Sequence, residues 1–238
     1  MICPICAAEN PDTATLCRSC RAYLQDRVPS LDLFNTLWGL VESPGKTFHV
    51  IARSEHKNYA FLLFATAGIP ALASMASLFR AGELFPTLLE AMFAVLAGGV
   101  FMGLVSAPVV SVVHALVVRL LGGAWSFRTS LGVTSYALAP GAIIGLVLLL
   151  IQLLTFGMYY FTSNPPAATI KPVSYWALVV LQSLVLIWSI GLLMSGTARS
   201  CRLTGIKSAL ASLIVIAAAG TGWWWATRKI YEGLLHMS

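Results

Sequence analysis

Long apolar runs separated by short polar stretches make up most of the chain after residue 58. Five runs can be delimited, at residues 59–78, 88–118, 136–161, 175–194 and 209–226. Each reaches or approaches the ~20 apolar residues with which a helix crosses ~30 Å of hydrocarbon. The second run is too long for one upright span, so we expect it to tilt, to extend past the membrane or to bend at Pro108. The pattern predicts an all-α membrane protein with a five-span transmembrane helical bundle.

Residues 26–58 have apolar positions spaced for amphipathic helices rather than for spans. Ser30 can cap the first of these helices. Its apolar stripe consists of Leu31, Phe34, Leu37, Trp38 and Val41. Such a helix can lie along the membrane surface or pack under the bundle, and the sequence leaves both alternatives open.

A second amphipathic helix is expected to begin at Pro44 and to bury Phe48 and Ile51. The basic residues on its other side would face anionic headgroups: Lys46, Arg53 and Lys57. Both helices are expected on the cytoplasmic side.

The composition agrees with a membrane protein. The chain has 238 residues, of which 58% are hydrophobic and only 10% are charged, whereas soluble domains have roughly 25% charged residues. The formal charge of +6 does not indicate a nucleic-acid partner, because the 15 Lys and Arg residues are spread thinly between the apolar runs. We therefore expect the lipid bilayer as a partner and no nucleic acid.

Lys and Arg residues are distributed unequally between the two sides of the predicted bundle. Six precede the first run, two follow the second and three follow the fourth, whereas the opposite side has four. By the positive-inside rule, the N-terminus is cytoplasmic and the C-terminus lies on the far side. The first ten residues also lack the pattern of a signal peptide. An aromatic anchor is expected at the far interface, formed by Trp223, Trp224, Trp225 and Tyr231.

Four cysteines near the N-terminus form two CxxC pairs separated by ten residues: Cys3, Cys6, Cys17 and Cys20. This is the spacing of a tetrahedral zinc site with four thiolate ligands and no open position. Such a site is structural, and the metal must supply the folding energy because about 20 residues cannot bury a core. We expect residues 1–25 to form a small zinc ribbon with four cysteine ligands and Zn²⁺ as its cofactor. A redox-active thiol pair and a metal-free relic are the alternatives.

The CxxC pairs resemble those of small zinc-ribbon modules. Those modules usually have glycine directly after each knuckle, where this chain has Ala7 and Arg21. We therefore expect strained turns or a different geometry at these two positions.

Two of the apolar runs contain small residues at every fourth position. In the second run these are Gly99, Gly103, Ala107, Ser111 and Ala115, and in the third they are Ala137, Gly141 and Gly145. Small residues allow the backbones of membrane helices to approach closely. We expect the second and third spans to pack against each other, and a leftover small-residue face to form a homodimer.

Few polar side chains lie inside the predicted spans. His114 is expected near the cytoplasmic interface, satisfied by hydrogen bonds or facing water, with a proton relay or ligand role as the alternative. Gln152 and Gln182 lie at similar depths, so we expect a hydrogen bond between them rather than a substrate site. Cys201 lies between Arg199 and Arg202 and is expected to be a plain thiol, with acylation or a lowered pKa as the alternatives.

The stretch at residues 114–140 predicts a hairpin between the second and third spans. Gly122 and Gly123 allow the chain to turn, and Ser126 or Thr129 can cap the next helix. Tyr136 is expected at the interface. The helix is expected to loosen at Pro140, where Gly141 would allow close packing.

Several of these features together resemble the Yip domain family of multispan membrane proteins, named for Ypt-interacting proteins. The resemblance covers residues 33–226 and rests on the SPGKTF stretch at 43–48 and on the order of features in the hairpin: Gly122, Gly123, Phe127, Arg128, Tyr136 and Pro140. In eukaryotic relatives it implies vesicle trafficking with small GTPase partners. A fused zinc ribbon is typical of bacteria or archaea, which favours a prokaryotic cytoplasmic membrane over the endoplasmic reticulum or Golgi membrane.

The sequence thus divides into a zinc-ribbon module at 1–25, an amphipathic segment at 26–58, a transmembrane domain at 59–228 and a tail at 229–238. Our leading hypothesis is a membrane scaffold or adaptor that organises membrane or recruits a cytoplasmic protein partner through its zinc module. The alternative is a transporter or scramblase for a small molecule, ion or lipid, with a polar cavity near His114, Gln152 and Gln182. We expect no enzyme, because no nucleophile with a base and no paired carboxylates can be assembled.

Overall fold

The computed structural model describes residues 2–3, 5–11, 14, 16–22, 24, 31–54 and 56–236. The helices in this part of the chain are α1 (Leu33–Glu42), α2 (Pro44–Arg53), α3 (Ala60–Leu78), α4 (Leu88–Leu120), α5 (Phe127–Ala137), α6 (Ala139–Phe156), α7 (Ala167–Ile170), α8 (Pro172–Ser200) and α9 (Gly205–Leu235). Two short 3-10 turns lie at Ala81–Leu84 and Gly157–Tyr160. Five of the described helical segments are long and apolar enough to cross a membrane: α3, α4, α5 with α6, α8 and α9. The predicted all-α, five-span fold is confirmed.

Most of the spanning helices extend further than the apolar runs from which they were predicted, whereas α3 matches its run to within one residue. The third span begins at Phe127, nine residues before the expected start, because α5 buries the polar side chains of Ser130 and Thr134 inside the bundle. The break between α5 and α6 falls at Leu138, and Pro140 lies in the first turn of α6, where proline is tolerated. Most of the predicted tail at 229–238 is helical, since α9 continues to Leu235.

The second span is a single helix despite its internal Pro108. With 33 residues, α4 is about 50 Å long. This exceeds the ~30 Å hydrocarbon thickness, so α4 must tilt or extend beyond the membrane.

Asp32 caps α1, and its side chain accepts a hydrogen bond from the Asn35 N–H at 2.8 Å. The predicted cap at Ser30 lies outside the described residues. The predicted apolar stripe is divided between two environments, because Leu31 lies in the bundle core and the partly buried Leu37 packs against this core. Its other members are exposed, Phe34 by 82%, Trp38 by 65% and Val41 by 55%.

As predicted, α2 begins at Pro44 and fully buries Phe48 and Ile51. A Cβ atom at Gly196 of α8 would lie only 2.8 Å from the Phe48 ring, so the ring packs directly on the α8 backbone. The Ser200 hydroxyl donates to the Phe48 carbonyl oxygen at 3.2 Å. The SPGKTF stretch therefore fastens α2 to the end of α8.

Lys57 does not face headgroups as predicted. Its ammonium group donates to the carbonyl oxygens of Ile51, of Ala52 at 3.1 Å and of Ser54 at 2.7 Å. These carbonyls end α2, where a cation is favourable. Burial, with a contribution from the nearby Arg128, lowers the pKa of Lys57 to about 8. Lys46 and Arg53 are exposed, as predicted.

The closest backbone approach in the bundle joins α3 and α4. A Cβ atom at Gly99 would lie 2.6 Å from the Ile69 Cα atom, and one at Gly103 would overlap the Phe64 backbone. In the stripe, α3 covers Gly99 and Gly103. The prediction that the second and third spans pack against each other is confirmed further along the stripe, where the Ser111 hydroxyl lies 3.3 Å from that of Thr134 in α5. Ala107 in the same stripe is fully buried, so this face is not left over for a homodimer.

The third span contacts α4 through α5 rather than through the small residues of α6. A Cβ atom added at Gly141 would have no neighbouring atom within 4 Å, so this glycine does not provide the predicted close packing. Tyr136 is fully buried rather than interfacial, and its hydroxyl donates to the Asn58 carbonyl oxygen at 2.8 Å. It thereby ties α5 to the segment before α3.

The hairpin between α4 and α5 is joined to the loop between α8 and α9. Gly122 has a φ of 80°, which glycine adopts without strain, and Ser126 caps α5 through the Thr129 N–H. The Ala124 N–H donates to the Cys201 carbonyl oxygen at 2.9 Å, and the Lys207 ammonium donates to the Leu121 carbonyl oxygen at 3.0 Å. We call the end of the bundle with these two loops, α1 and α2 the basic end, and the opposite end the far end.

Candidate functional site

The four N-terminal cysteine side chains lie together. Their sulfur atoms are all within 4.8 Å of one another. The Sγ atoms of Cys3 and Cys20 are 3.7 Å apart, and those of Cys6 and Cys17 are 3.5 Å apart. A tetrahedral zinc site with Zn–S bonds of about 2.3 Å has sulfur atoms about 3.8 Å apart. The cluster could therefore hold a metal ion, and its size and donor set fit zinc.

Each CxxC pair forms a turn closed by a backbone hydrogen bond. The Ala7 N–H donates to the Cys3 carbonyl oxygen and the Arg21 N–H to the Cys17 carbonyl oxygen, both at 3.0 Å. Ala7 has a φ of 55° and Arg21 a φ of 56°. These are left-handed conformations that cost a residue with a Cβ atom roughly 1 kcal/mol. The turns thus form without glycine, with the backbone strain expected at these two positions.

Backbone N–H groups point at the cysteine sulfurs. The Ser19 N–H donates to the Cys17 Sγ atom at 3.4 Å, and the Asn10 side-chain amide donates to it at 3.5 Å. Hydrogen bonds from the backbone at Cys20 and Ser19 lower the pKa of Cys17 to about 6. A thiolate is the form that binds a metal ion, so the environment of Cys17 suits a ligand. The neighbouring Cys6 thiol has the opposite effect on Cys20, whose pKa is raised to about 12.

A second group of polar side chains is buried between α4, α5 and α8. His114 is fully buried, with its Nδ1 atom 3.0 Å from the Ser130 hydroxyl and its Nε2 atom 2.9 Å from the Thr197 hydroxyl. Beside it, the Ser111 and Thr134 hydroxyls lie 3.3 Å apart. Of the two alternatives for His114, the satisfied histidine is the one observed.

The hydrogen bonds assign the tautomer of His114. The Thr197 hydroxyl donates to the Leu193 carbonyl oxygen at 2.7 Å, so it must accept a hydrogen bond from the Nε2–H of His114. The Nδ1 atom then accepts from the Ser130 hydroxyl. A neutral imidazole satisfies every partner, and the group links three helices near the basic end.

The predicted pair Gln152 and Gln182 is confirmed. The Gln152 side-chain N–H donates to the Gln182 Oε1 atom at 3.2 Å. The Gln182 N–H group donates to the Ser74 hydroxyl at 2.8 Å, and this hydroxyl donates to the Pro70 carbonyl oxygen at 2.8 Å. Sequence reasoning missed Ser74, although a serine within the first span could have suggested a third partner. The network joins α6, α8 and α3 in the half of the bundle nearer the far end.

Cys201 is fully buried where the two basic-end loops meet, among Val118, Leu203 and Ala211. Burial raises the pKa of its thiol to about 11. The alternative of a lowered pKa is wrong, and the thiol contributes to packing.

The five spans surround a cavity with a volume of about 670 Å³. Its lining includes Gln152, Gln182 and Ser74, but not His114. The rest of the lining is largely apolar and comes from all five spans. The predicted cavity therefore includes the glutamine pair but not His114, and its surroundings are mainly apolar.

The four residues of the predicted aromatic anchor on α9 lie in three different environments. Trp223 lines the cavity, and its indole N–H donates to the Ser106 hydroxyl at 2.9 Å. Trp224 and Tyr231 contact Phe79 at the end of α3, with ring centroids 4.6 and 5.9 Å away. Trp225 is 65% exposed and has the environment of an interfacial anchor. The outer part of α9 is thus held against α3 and α4.

Five apolar spans, a basic end and a separate cysteine cluster define a multi-pass integral membrane protein with a small N-terminal module. The model of the Yip1 domain matches residues 38–226. The chain belongs to the Yip1 family, and the matched region excludes the cysteine cluster. No curated protein and no solved structure matches the chain.

Proposed function

We propose that this Yip1-family protein is a membrane scaffold that holds its N-terminal zinc module at the basic, cytoplasmic side as the docking point for a protein partner. The observation that carries the proposal is the surface of the module. Ile2 is 68% exposed, Ile5 is 74% exposed and Leu16 is 45% exposed. So many exposed apolar side chains on so short a segment are typical of a protein interaction site.

The metal in this proposal is zinc, bound by Cys3, Cys6, Cys17 and Cys20. Four thiolates in a closed arrangement leave no position for substrate, so the ion would hold the module folded rather than take part in a reaction. The module would then present its apolar side chains in a fixed arrangement.

Helices α1 and α2 support the same proposal. Because Phe48 and Ile51 are fully buried in the bundle, α2 has a fixed position at the basic end. The exposed Phe34 and Trp38 of α1 suit insertion into the membrane interface, where aromatic side chains are favoured. These two helices would hold the module close to the bilayer surface.

Crosslinking in membranes followed by affinity purification of the full-length protein tests the proposal. Wild type is compared with Ile2→Ser/Ile5→Ser, which keeps the cysteines, and with Cys3→Ser/Cys6→Ser, which removes two ligands. Glu9→Gln is the matched control, because Glu9 is also exposed on the module. We expect one set of crosslinked proteins to be lost from both double variants and kept by the control.

Membrane insertion of every variant is verified by protease protection, which also tests the predicted cytoplasmic N-terminus. Identical crosslinked proteins from wild type and both double variants would contradict the recruiting role. Metal analysis of purified protein should find one zinc per chain, and less in Cys3→Ser/Cys6→Ser. Full occupancy by iron or no metal would contradict the assignment of zinc.

The cavity supports a second candidate function, the movement of lipid. None of the described residues that line it is charged, which makes it unsuitable for an ion that would need compensating charge. A scrambling assay with the purified protein in liposomes tests this function. Wild-type protein should accelerate the flip of a fluorescent phospholipid, and a rate equal to that of empty liposomes would exclude it.

A further inference from the structure

Some residues that line the cavity are exposed on α8 and α9, which indicates an opening between these two helices. Near their shared loop these helices are joined, but further out Trp223 and Trp224 of α9 contact α4 and α3. The outer part of α8 instead contacts α6, where the Tyr175 and Phe156 ring centroids are 6.2 Å apart. The two helices therefore diverge toward the far end.

Exposed residues mark the opening. Ser183 and Leu186 of α8 and Gly220 of α9 line the cavity and are also exposed, Leu186 by 59%. Two cavity-lining residues of α3, Ala71 and Leu78, are exposed as well. Deeper residues that line the same cavity are buried, with Leu193 only 7% exposed and Val215 only 2%. Because the opening lies between two spans, it faces the hydrocarbon of the leaflet on the far side. Only a molecule dissolved in that leaflet can enter directly.

One side-chain oxygen that lines the cavity, the Oε1 atom of Gln152, is free to accept a hydrogen bond from a ligand. Since the Ser74 hydroxyl donates to the Pro70 carbonyl oxygen, it must accept from the Gln182 amide, and this orients both glutamine amides. The Oε1 atom of Gln152 accepts no hydrogen bond from any residue that the structure describes, although this side chain is only 4% exposed. This oxygen is not among the described buried atoms that lack a partner, so it is accessible from the cavity that the residue lines.

We propose that the cavity binds one glycerolipid of the far leaflet, with an acyl chain between α8 and α9 and its glycerol-ester region at the glutamine pair. The uncharged, mainly apolar walls match an acyl chain. The Gln152 Oε1 atom accepts from a hydroxyl of the lipid, and the Gln182 amide offers a hydrogen to an ester oxygen. The volume of about 670 Å³ lies within the ~300–1,000 Å³ range of ligand pockets. The charged headgroup stays outside, where water reaches it.

Photocrosslinking tests this binding site independently of the scaffold role and of lipid movement. The full-length protein is placed in nanodiscs containing phosphatidylglycerol with a diazirine near the end of one acyl chain. After illumination, the modified residues are mapped by mass spectrometry. We expect adducts at Leu193 and Val215, which bulk lipid does not reach.

Two glycines provide matched variants on the same helix. Gly220 lines the cavity and Gly222 does not, and neither has an atom within 4 Å of a Cβ position. Gly220→Trp should reduce the adducts at Val215 at least fivefold, whereas Gly222→Trp should leave them unchanged. Gly141→Phe also fills the cavity, from α6, and should have the same effect as Gly220→Trp.

Gln152→Leu tests the polar part of the site, because leucine keeps the apolar bulk and removes the acceptor. We expect at least threefold less lipid to remain bound after a detergent wash, at an unchanged elution volume. Adducts confined to outward-facing residues such as Leu184, or equal yields at Val215 in wild type and Gly220→Trp, would overturn the proposal. Equal lipid retention by wild type and Gln152→Leu would exclude the glycerol-ester contact.

Discussion

The close contact between α3 and α4 predicts that Gly99→Ala destabilises the protein. The added methyl group would lie 2.6 Å from the Ile69 Cα atom and 3.0 Å from the Gly68 carbonyl oxygen. Both are backbone atoms and cannot rotate away. An ordinary contact begins near 3.4 Å, so the helices must separate by about 1 Å, a strain comparable with the larger effects of overpacking.

We expect Gly99→Ala to lower the free energy of unfolding by about 3 kcal/mol. Overpacking costs ~1–3 kcal/mol, and separation of the helices also loses packing along their interface. The higher helix propensity of alanine offsets up to ~1 kcal/mol of this loss in stability. Equilibrium unfolding in mixed micelles, followed by circular dichroism, measures the difference.

The neighbouring Gly98 is the matched control, because a Cβ atom there meets only the flexible end of Leu72, at 2.9 Å. Gly98→Ala should change the free energy of unfolding by less than about 1 kcal/mol. If the two variants were equally stable, the close approach of α3 and α4 at Gly99 would be refuted.

Four further predictions concern the other polar and strained positions. His114→Ala should destabilise the protein by about 3 kcal/mol, because it leaves a cavity and two buried hydroxyls without their partner; a loss below about 1 kcal/mol in equilibrium unfolding would contradict this role. Ala7→Gly and Arg21→Gly should each tighten zinc binding about fivefold, since glycine relieves roughly 1 kcal/mol of left-handed strain; competition with a chromophoric chelator measures the affinity, and weaker binding would refute the strain. Cys201 should react with a maleimide at neutral pH at least tenfold faster after unfolding than before, because burial raises its pKa to about 11 and shields the sulfur; fast reaction of the folded protein would show that it is accessible. Lys57 loses its proton near pH 8 in the folded protein and near pH 10.5 in the unfolded chain, so the stability of wild type should rise by roughly 1 kcal/mol relative to Lys57→Met as the pH increases through this range, after allowance for solvent screening. Thermal unfolding of both proteins from pH 7 to 10 measures this change in relative stability. A relative stability that falls with pH would contradict the prediction.

Features that depend on local spacing or on depth could be predicted from the sequence. Apolar length identifies the spans, and the CxxC spacing brings the four cysteine sulfurs together. Gln152 and Gln182 could be paired because a polar side chain in the membrane needs a partner at its own depth. Phe48 and Ile51 could be assigned to the buried face of α2 by helical spacing.

Features that depend on which helices become neighbours could not be predicted. A small-residue stripe shows that some helix approaches closely, but not that α3 rather than the third span would cover Gly99 and Gly103. The start of the third span could not be predicted, because α5 contains polar side chains and hydropathy cannot show that Ser130 is buried against His114. Charge and helical spacing predict Lys57 at the surface, because neither shows that the carbonyl groups at the end of α2 lie within its reach.

The packing of the Phe48 ring on Gly196 has a consequence for how the family can vary. The ring occupies the space where any side chain at position 196 would begin. We therefore expect the two positions to change together among relatives, with a larger residue at 196 only where 48 is small. The SPGKTF stretch and the end of the fourth span are therefore expected to evolve together, although most of the chain lies between them.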